Sequence, residues 1–199
     1  MLKKISLLPV LLLISTFSVN AQEKAEAIFA SGCFWCTESD FEKVEGVIEA
    51  VSGYTDGRQS NPTYKQVSAG RTGHTEAVKV TYDPSKVSYE KLLSVFWHNV
   101  DPTVKNRQFC DSGSQYRSGI YYLNPEQQAA AEKSLVDLKA SGRFERIYTE
   151  LKPASKFYPA EDYHQDYAKK NPWRYKYYRS GCGRDDRLKR LWGELALEH

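Results

Sequence analysis

Apolar and polar positions change period repeatedly along the chain, and each change marks an element. Residues 27–30 are a short apolar run that reads as a strand; from Phe34 to Val44 the spacing turns helical, and Gly46 marks its end. Residues 47–54 are strand-like. Residues 76–82 alternate around Ala77, Val78 and Val80 until Asp83-Pro84 stops them. The spacing then predicts a helix over 88–99 with Leu92, Leu93, Phe96 and Trp97 on its buried side. After a strand at 120–123, Asn124 caps the clearest helix, with Pro125 at its first position, Gln127 for a capping box and Gly142 beyond its end. Residues 147–151 read as a last strand, 160–170 as a short helix before Asn171-Pro172, and 184–195 as one or two further turns. Two polar stretches, 55–73 and 101–118, are too long to be simple connectors. Strands and helices thus alternate irregularly without a dividing linker, which predicts a single α+β domain.

The ends read differently. Lys3 and Lys4 precede an apolar run over 5–14, and a polar stretch then closes on Val19-Asn20-Ala21, the three-part pattern of a secretory signal. The run is too short for an ordinary membrane span. Residues 1–21 are therefore expected to be a signal peptide, with residues 22–196 forming one domain of an exported, periplasmic or secreted protein. Leu197-Glu198-His199 resembles the start of a vector-encoded tag. Losing Lys3 and Lys4 lowers the formal net charge from +3 by two, to +1. An extended nucleic-acid surface needs a larger clustered basic excess. No nucleic-acid partner and no membrane insertion of the mature chain are expected.

Four cysteines in an exported chain suggest disulfides. Their arrangement also suggests chemistry: Cys33 and Cys36 form a Cys-x-x-Cys, whereas Cys110 and Cys182 stand alone. Cys33 follows Gly32 between a strand and a helix, where free N–H groups and the helix dipole favour a thiolate. Phe34 and Trp35 would add an apolar wall beside it. Four readings suit these residues: a sulfur-centred reductase, a thioredoxin-like dithiol oxidoreductase, a disulfide-stabilised binding module, and a buried structural Cys-x-x-Cys. Zinc would need two more ligands at suitable spacing, and no second Cys-x-x-Cys or spaced His pair supplies them. Glu161, Asp162, His164 and Asp166 read as the solvated face of a short helix.

The longer motifs narrow this choice. Gly32-Cys33-Phe34-Trp35, Asn61-Pro62-Thr63-Tyr64, Thr72-Gly73-His74-Thr75-Glu76, Gln115-Tyr116-Arg117-Ser118 and Glu161-Asp162-Tyr163-His164-Gln165 occur in one order across nearly the whole mature chain. In these the sequence resembles the peptide methionine sulfoxide reductases of the A class. The resemblance implies a two-layer α+β sandwich, a mixed sheet packed with helices and a long irregular C-terminal segment. It implies Cys33 as nucleophile, Glu76 as proton donor to the sulfoxide oxygen, and Tyr64 and Tyr116 as hydrogen-bond donors to it. Phe34 and Trp35 would grip the substrate methyl group, with Asp111 on the polar side. The substrates implied are oxidised proteins or free methionine-S-sulfoxide, with a thioredoxin-like disulfide reductant, no cofactor, no metal and a monomeric chain. Cys182 is expected to resolve oxidised Cys33, with Cys36 as second choice and Cys110 as third. Cys36 and Cys110 stand where the family more often has glycine and asparagine.

Overall fold

The computed structural model describes residues 24–199, so the signal predicted over 1–21 lies outside the described residues. A six-stranded mixed sheet forms the centre. Its strands are β1 (Ala25–Ser31), β2 (Val47–Thr55), β3 (Thr75–Tyr82), β6 (Ser118–Tyr122), β7 (Glu150–Pro153) and β8 (Tyr158–Pro159), in the order β7-β6-β1-β3-β2-β8. Only β6 and β7 pair in parallel; the other neighbours are antiparallel. A separate two-stranded ribbon, β4 (Arg107–Gln108) with β5 (Asp111–Ser112), lies in the second long polar stretch.

Alternation along β1 divides the core. Ala27 and Phe29 face the main cluster with Val78, Val80 and Ile120, while Ile28 and Ala30 join Ala77 and Tyr121 on the other face. Helices α1 (Phe34–Phe41) and α3 (Tyr89–His98) supply Phe41 and Phe96, which stack on Phe29 at centroid distances of 4.8 and 5.4 Å. Helix α4 (Pro125–Ala140) starts where its sequence predicts: Asn124 Oδ1 accepts from the Gln127 N–H at 2.8 Å. The Gln127 amide accepts from the Leu123 N–H at 2.9 Å, one residue before the position a capping box serves. The mixed α+β architecture is thus the one expected.

The C-terminal third carries more helix than its sequence suggests. The helix predicted over 160–170 is reduced to α5 (Tyr167–Lys170), and β8 precedes it. Pro172, read as a stop, begins α6 (Pro172–Gly181), where a missing N–H at the first position costs nothing. Gly183, at φ +61, turns the chain into α7 (Arg184–Trp192). Leu197 and Glu198, set apart at the C-terminus, pack on α3: the Leu197 N–H donates to the His98 carbonyl at 3.2 Å and Lys91 donates to Glu198 at 2.6 Å. No helix among the described residues is long and apolar enough to cross a membrane.

Helices α6 and α7 hold to the domain through buried charge. Arg184 is 2% exposed. Its guanidinium donates to the Ser31 carbonyl at 3.1 Å, the Ser31 hydroxyl at 3.2 Å and the Asn99 carbonyl at 2.7 Å, and lies 3.7 Å from Asp40. Arg179 donates to Asp40 at 2.8 Å. Removing one partner of such a network leaves desolvated acceptors unpaired. Arg184→Met should therefore lose about 3–5 kcal/mol of unfolding free energy in denaturant titration. A loss below about 1 kcal/mol, typical of an exposed pair, would mean that Arg179 alone secures the segment.

Candidate active site

Cys33 is the N-cap of α1, and its carbonyl accepts from the Cys36 and Thr37 N–H groups at 3.1 and 3.2 Å. The sharp turn before it needs Gly32, whose φ is +91. A Cβ there would also lie 2.5 Å from the Gln108 Cβ. One turn of helix sends Phe34 into the core and Trp35 to its edge.

A small cavity of about 70 Å³ opens at this turn, lined by Cys33, Phe34, Trp35, Tyr64, Glu76, Asp111, Tyr116 and Tyr178. The structure thus brings the seven expected nucleophilic, acidic, hydroxyl and aromatic groups onto one space, and adds Tyr178 from α6. Glu76 is on β3 and reaches back so that its Oε2 accepts the Phe34 N–H at 3.0 Å. Tyr64 begins α2 (Tyr64–Ser68) inside the first polar stretch, with its N–H donated to Glu161 Oε1 at 2.8 Å. Tyr116 ends a single 3₁₀ turn (Ser114–Tyr116) inside the second, and Asp111 opens β5. The two long loops are therefore walls of the site.

Burial sets the protonation of these groups. Glu76 is buried, which pushes its carboxyl up to about 8 against the opposing Phe34 hydrogen bond. Asp111 is raised for the same reason. Tyr64 is raised to about 12, and Tyr116 is raised, first by burial and then by Glu76, so both keep their hydroxyl protons at neutral pH. The Tyr178 hydroxyl donates to Asp111 Oδ2 at 2.5 Å and is also within hydrogen-bond reach of the Cys33 sulfur.

The two free thiols behave as a pair. Burial and the adjacent Cys36 hold Cys33 well above an ordinary thiol, so burial opposes the thiolate expected at this helix start. Cys36 is lowered, first by the hydrogen bond from Cys33 and then by Arg184 and Arg179. Negative charge in the pair therefore belongs on Cys36, behind the cavity.

Cys182 departs from its expected place. It caps α6 and is bonded to Cys110, with Cα atoms 4.9 Å apart, while Cys33 and Cys36 are free and buried. Its sulfur is engaged and cannot attack Cys33 in this state, whereas Cys36 already touches Cys33. The glycines flanking Cys182 serve the α6–α7 corner, not a flexible fold-back.

His164 and Glu161 also correct the sequence reading, for they are not on a solvated face. His164 is buried and its Nδ1 accepts the Trp35 indole N–H at 3.0 Å; its ring centre lies 4.9 Å from Phe34 and 4.3 Å from Tyr64. Burial lowers its pKa, so the ring is a neutral acceptor at pH 7. Glu161 accepts from Tyr54 and the Tyr64 N–H. The available signal was Trp35 itself, since a buried indole N–H needs an acceptor. Tyr178, one of 14 tyrosines, carried no such signal.

The sequence profile of the peptide methionine sulfoxide reductases matches residues 25–196. The chain belongs to this family. It is 50% identical over 180 residues to peptide methionine sulfoxide reductase MsrA 2 of Rhizobium meliloti, covering 89% of this chain and 88% of the relative. It is 48% identical over 186 residues to the MsrA/MsrB protein of Vibrio cholerae; the match takes in 93% of this chain and 49% of that protein, so the chain spans about half its length. The crystal structure of Saccharomyces cerevisiae Mxr1 in reduced form superposes with a TM-score of 0.71 at 32% identity, covering 80% of this chain and 93% of that one. Family membership makes the protein an oxidoreductase of the methionine sulfoxide reductase type.

The raised Glu76 carboxyl gives a pH signature. Below about pH 8 it holds its proton, and above that it loses it. The single-turnover rate of sulfoxide reduction should therefore fall as pH rises through about 8. Glu76→Gln should slow the reaction by about 10²–10⁴-fold and abolish that limb. An unchanged rate in Glu76→Gln would leave the tyrosine hydroxyls as sufficient donors.

Proposed function

We propose that this protein reduces methionine-S-sulfoxide, free or within proteins, to methionine. The observation that carries the reading is the convergence of Cys33, Glu76, Tyr64 and Tyr116 on one small cavity beside Phe34 and Trp35. A sulfoxide is a weak electrophile until its oxygen is protonated or strongly hydrogen-bonded. The neutral Glu76 supplies the proton and the two tyrosines supply donors. The aromatic wall receives the methyl group.

As Cys33 attacks the sulfoxide sulfur, its own proton passes to Cys36 and the Glu76 proton passes to the sulfoxide oxygen. That oxygen ends on Cys33, giving a sulfenic acid and releasing methionine. The Cys36 thiol then displaces water from the sulfenic sulfur and closes a Cys33–Cys36 disulfide. Contact between the two sulfurs supports Cys36 in this step ahead of Cys182. When Cys110 and Cys182 are themselves thiols, Cys182 attacks the inner disulfide and Cys110 then attacks Cys182. This returns Cys33 and Cys36 to thiols and leaves the Cys110–Cys182 bond. Exposure of Cys110 favours it as the point where a thioredoxin-like dithiol removes the electron deficit. Export to the periplasm or beyond, for repair of oxidised exported proteins, rests on the signal-like residues 1–21.

Reduction of the two resolved sulfoxide epimers with dithiothreitol, followed by chromatography, tests the reaction. A cavity that fixes methyl, oxygen and side chain at three points should turn over the S epimer and leave the R epimer; equal rates on both would refute it. Cys33→Ser should form no methionine even in a single turnover. Peptide mapping after one equivalent of substrate should find Cys33–Cys36 first in enzyme reduced at all four cysteines. A Cys33–Cys182 bridge formed at full rate in Cys36→Ser would restore Cys182 as first partner.

A further inference from the structure

Helix α6 presents Trp173 and Tyr177, four residues apart and so on one face, at 83% and 84% exposure. Two such aromatics in water beside each other are unusual on a surface with no partner. They form the outer wall of a groove of about 560 Å³ whose inner wall is Trp35, Tyr167 and Tyr178, with Arg174 at its edge. The inner wall is built of rings packed on one another. Trp35 and Tyr167 stack at 3.7 Å and 5°, and Tyr178 meets Trp35 edge-on at 5.8 Å.

Trp35 and Tyr178 line the catalytic cavity as well, so the groove begins where the cavity ends. The cavity, at about 70 Å³, is far smaller than the groove of about 560 Å³ beside it. It accommodates a methyl sulfoxide head but not the backbone of the residue that bears it. The shared Trp35–Tyr178 rim joins the cavity to the groove, so a polypeptide whose oxidised methionine enters the cavity can run from it into the groove.

We propose that this groove is a subsite for the substrate polypeptide, taking an extended segment with a bulky apolar or aromatic residue next to the oxidised methionine. The proposal rests on the methionine sulfoxide reading above and names the substrate class that the same site prefers. Trp173 and Tyr177 clasp the neighbouring side chain against the Trp35–Tyr167 stack. Arg174 favours an acidic residue over a basic one just beyond it.

The test is steady-state kinetics on the full chain with dithiothreitol as reductant, which removes any contribution from a protein reductant. Two substrates are compared: N-acetyl-methionine-S-sulfoxide amide, and a blocked pentapeptide with phenylalanine beside the S-sulfoxide. In the Trp173→Ala/Tyr177→Ala double variant, kcat/KM for the peptide should fall about tenfold, the usual weight of one well-buried aromatic contact. The fall should lie in KM, and the blocked amino acid should react as with wild type. Both positions are exposed, so the variant keeps its fold; Tyr177→Phe, which retains the ring, should restore most of the loss at that position. An equal fall on both substrates, or none on the peptide, overturns the subsite. A variant impaired only when thioredoxin replaces dithiothreitol makes the groove a reductant dock instead. Wild type inactive on the blocked amino acid would refute the underlying reading itself, separately from the groove.

Discussion

The geometry around Cys33 depends on one buried cation. Taking a guanidinium out of water is costly, and the cost is offset only where acceptors meet its hydrogens from several sides. Arg184 finds them on Ser31, at the end of β1 two residues before Cys33, and on Asn99, which caps α3. Its remaining contacts are Asp40 on the helix that Cys33 starts, and the Phe109 ring 4.4 Å from its carbon. Phe109 itself holds φ at +51, a conformation few bulky residues adopt, directly before Cys110 and Asp111. A single side chain therefore fixes the approach to the nucleophile, the helix beyond it and the loop that carries Asp111. Displacing it would disturb all three together.

The same cation orders charge within the site. Arg184 and Arg179 lie on the Cys36 side of the thiol pair and favour its thiolate. On the other side, Cys33 faces Glu76, Asp111 and Tyr178, all raised by burial. Burial thus holds the groups on the cavity side towards their protonated forms, while Arg184 and Arg179 favour charge on Cys36, one layer behind. A thiolate on Cys33 would face a buried carboxyl that is hard enough to ionise already. In the proposed reaction the Glu76 proton goes to the sulfoxide oxygen as the Cys33 proton goes to Cys36, so the negative charge moves from Cys36 to the Glu76 carboxylate, which the Phe34 N–H meets. Protonated acid and reactive sulfur, which compete in water at one pH, are kept compatible by this separation.

Legibility followed the range of the determining interactions. Strands β1, β2 and β3 and helices α3 and α4 were readable because period, caps and stop residues lie within each segment. Cys33 carried a local signal in the turn glycine before it, whereas Phe34, Trp35 and Glu76 were picked out through the ordered motifs of the family resemblance. The register of β2 on β3, which sets Glu76 opposite Tyr54, required the fold. So did α2 and the β4–β5 ribbon, which are too short and polar to show a period. Pro172 was misread because the same residue ends one helix pattern and starts another. The flanking glycines suggested a freely moving Cys182, whereas it caps α6 bonded to Cys110 and Gly183 forms the corner between α6 and α7. His164 looked solvated because its neighbours are polar; what buries it comes from α1 and α2, about 100 or more residues away in sequence.

Helix α6 shows why its role could not be read from hydrophobic pattern at all. Successive residues turn by roughly 100°, so ten residues visit every side of the helix. Tyr175 and Arg179 turn inward, where the Tyr175 hydroxyl accepts from Arg179 at 2.9 Å and Arg179 meets Asp40. Tyr178 and Cys182, one turn apart, face the ribbon: Tyr178 bonds to Asp111 and Cys182 to Cys110, the residue before it. Trp173 and Tyr177 point outward. All three faces are aromatic or charged, so none stands out as an apolar stripe, and only the partners distinguish them. The disulfide and the Tyr178–Asp111 hydrogen bond join the same two segments side by side, so α6 and the ribbon are tied at two adjacent points. Tyr178 at the rim of the cavity and Cys182 of the disulfide are thereby carried on the same helix.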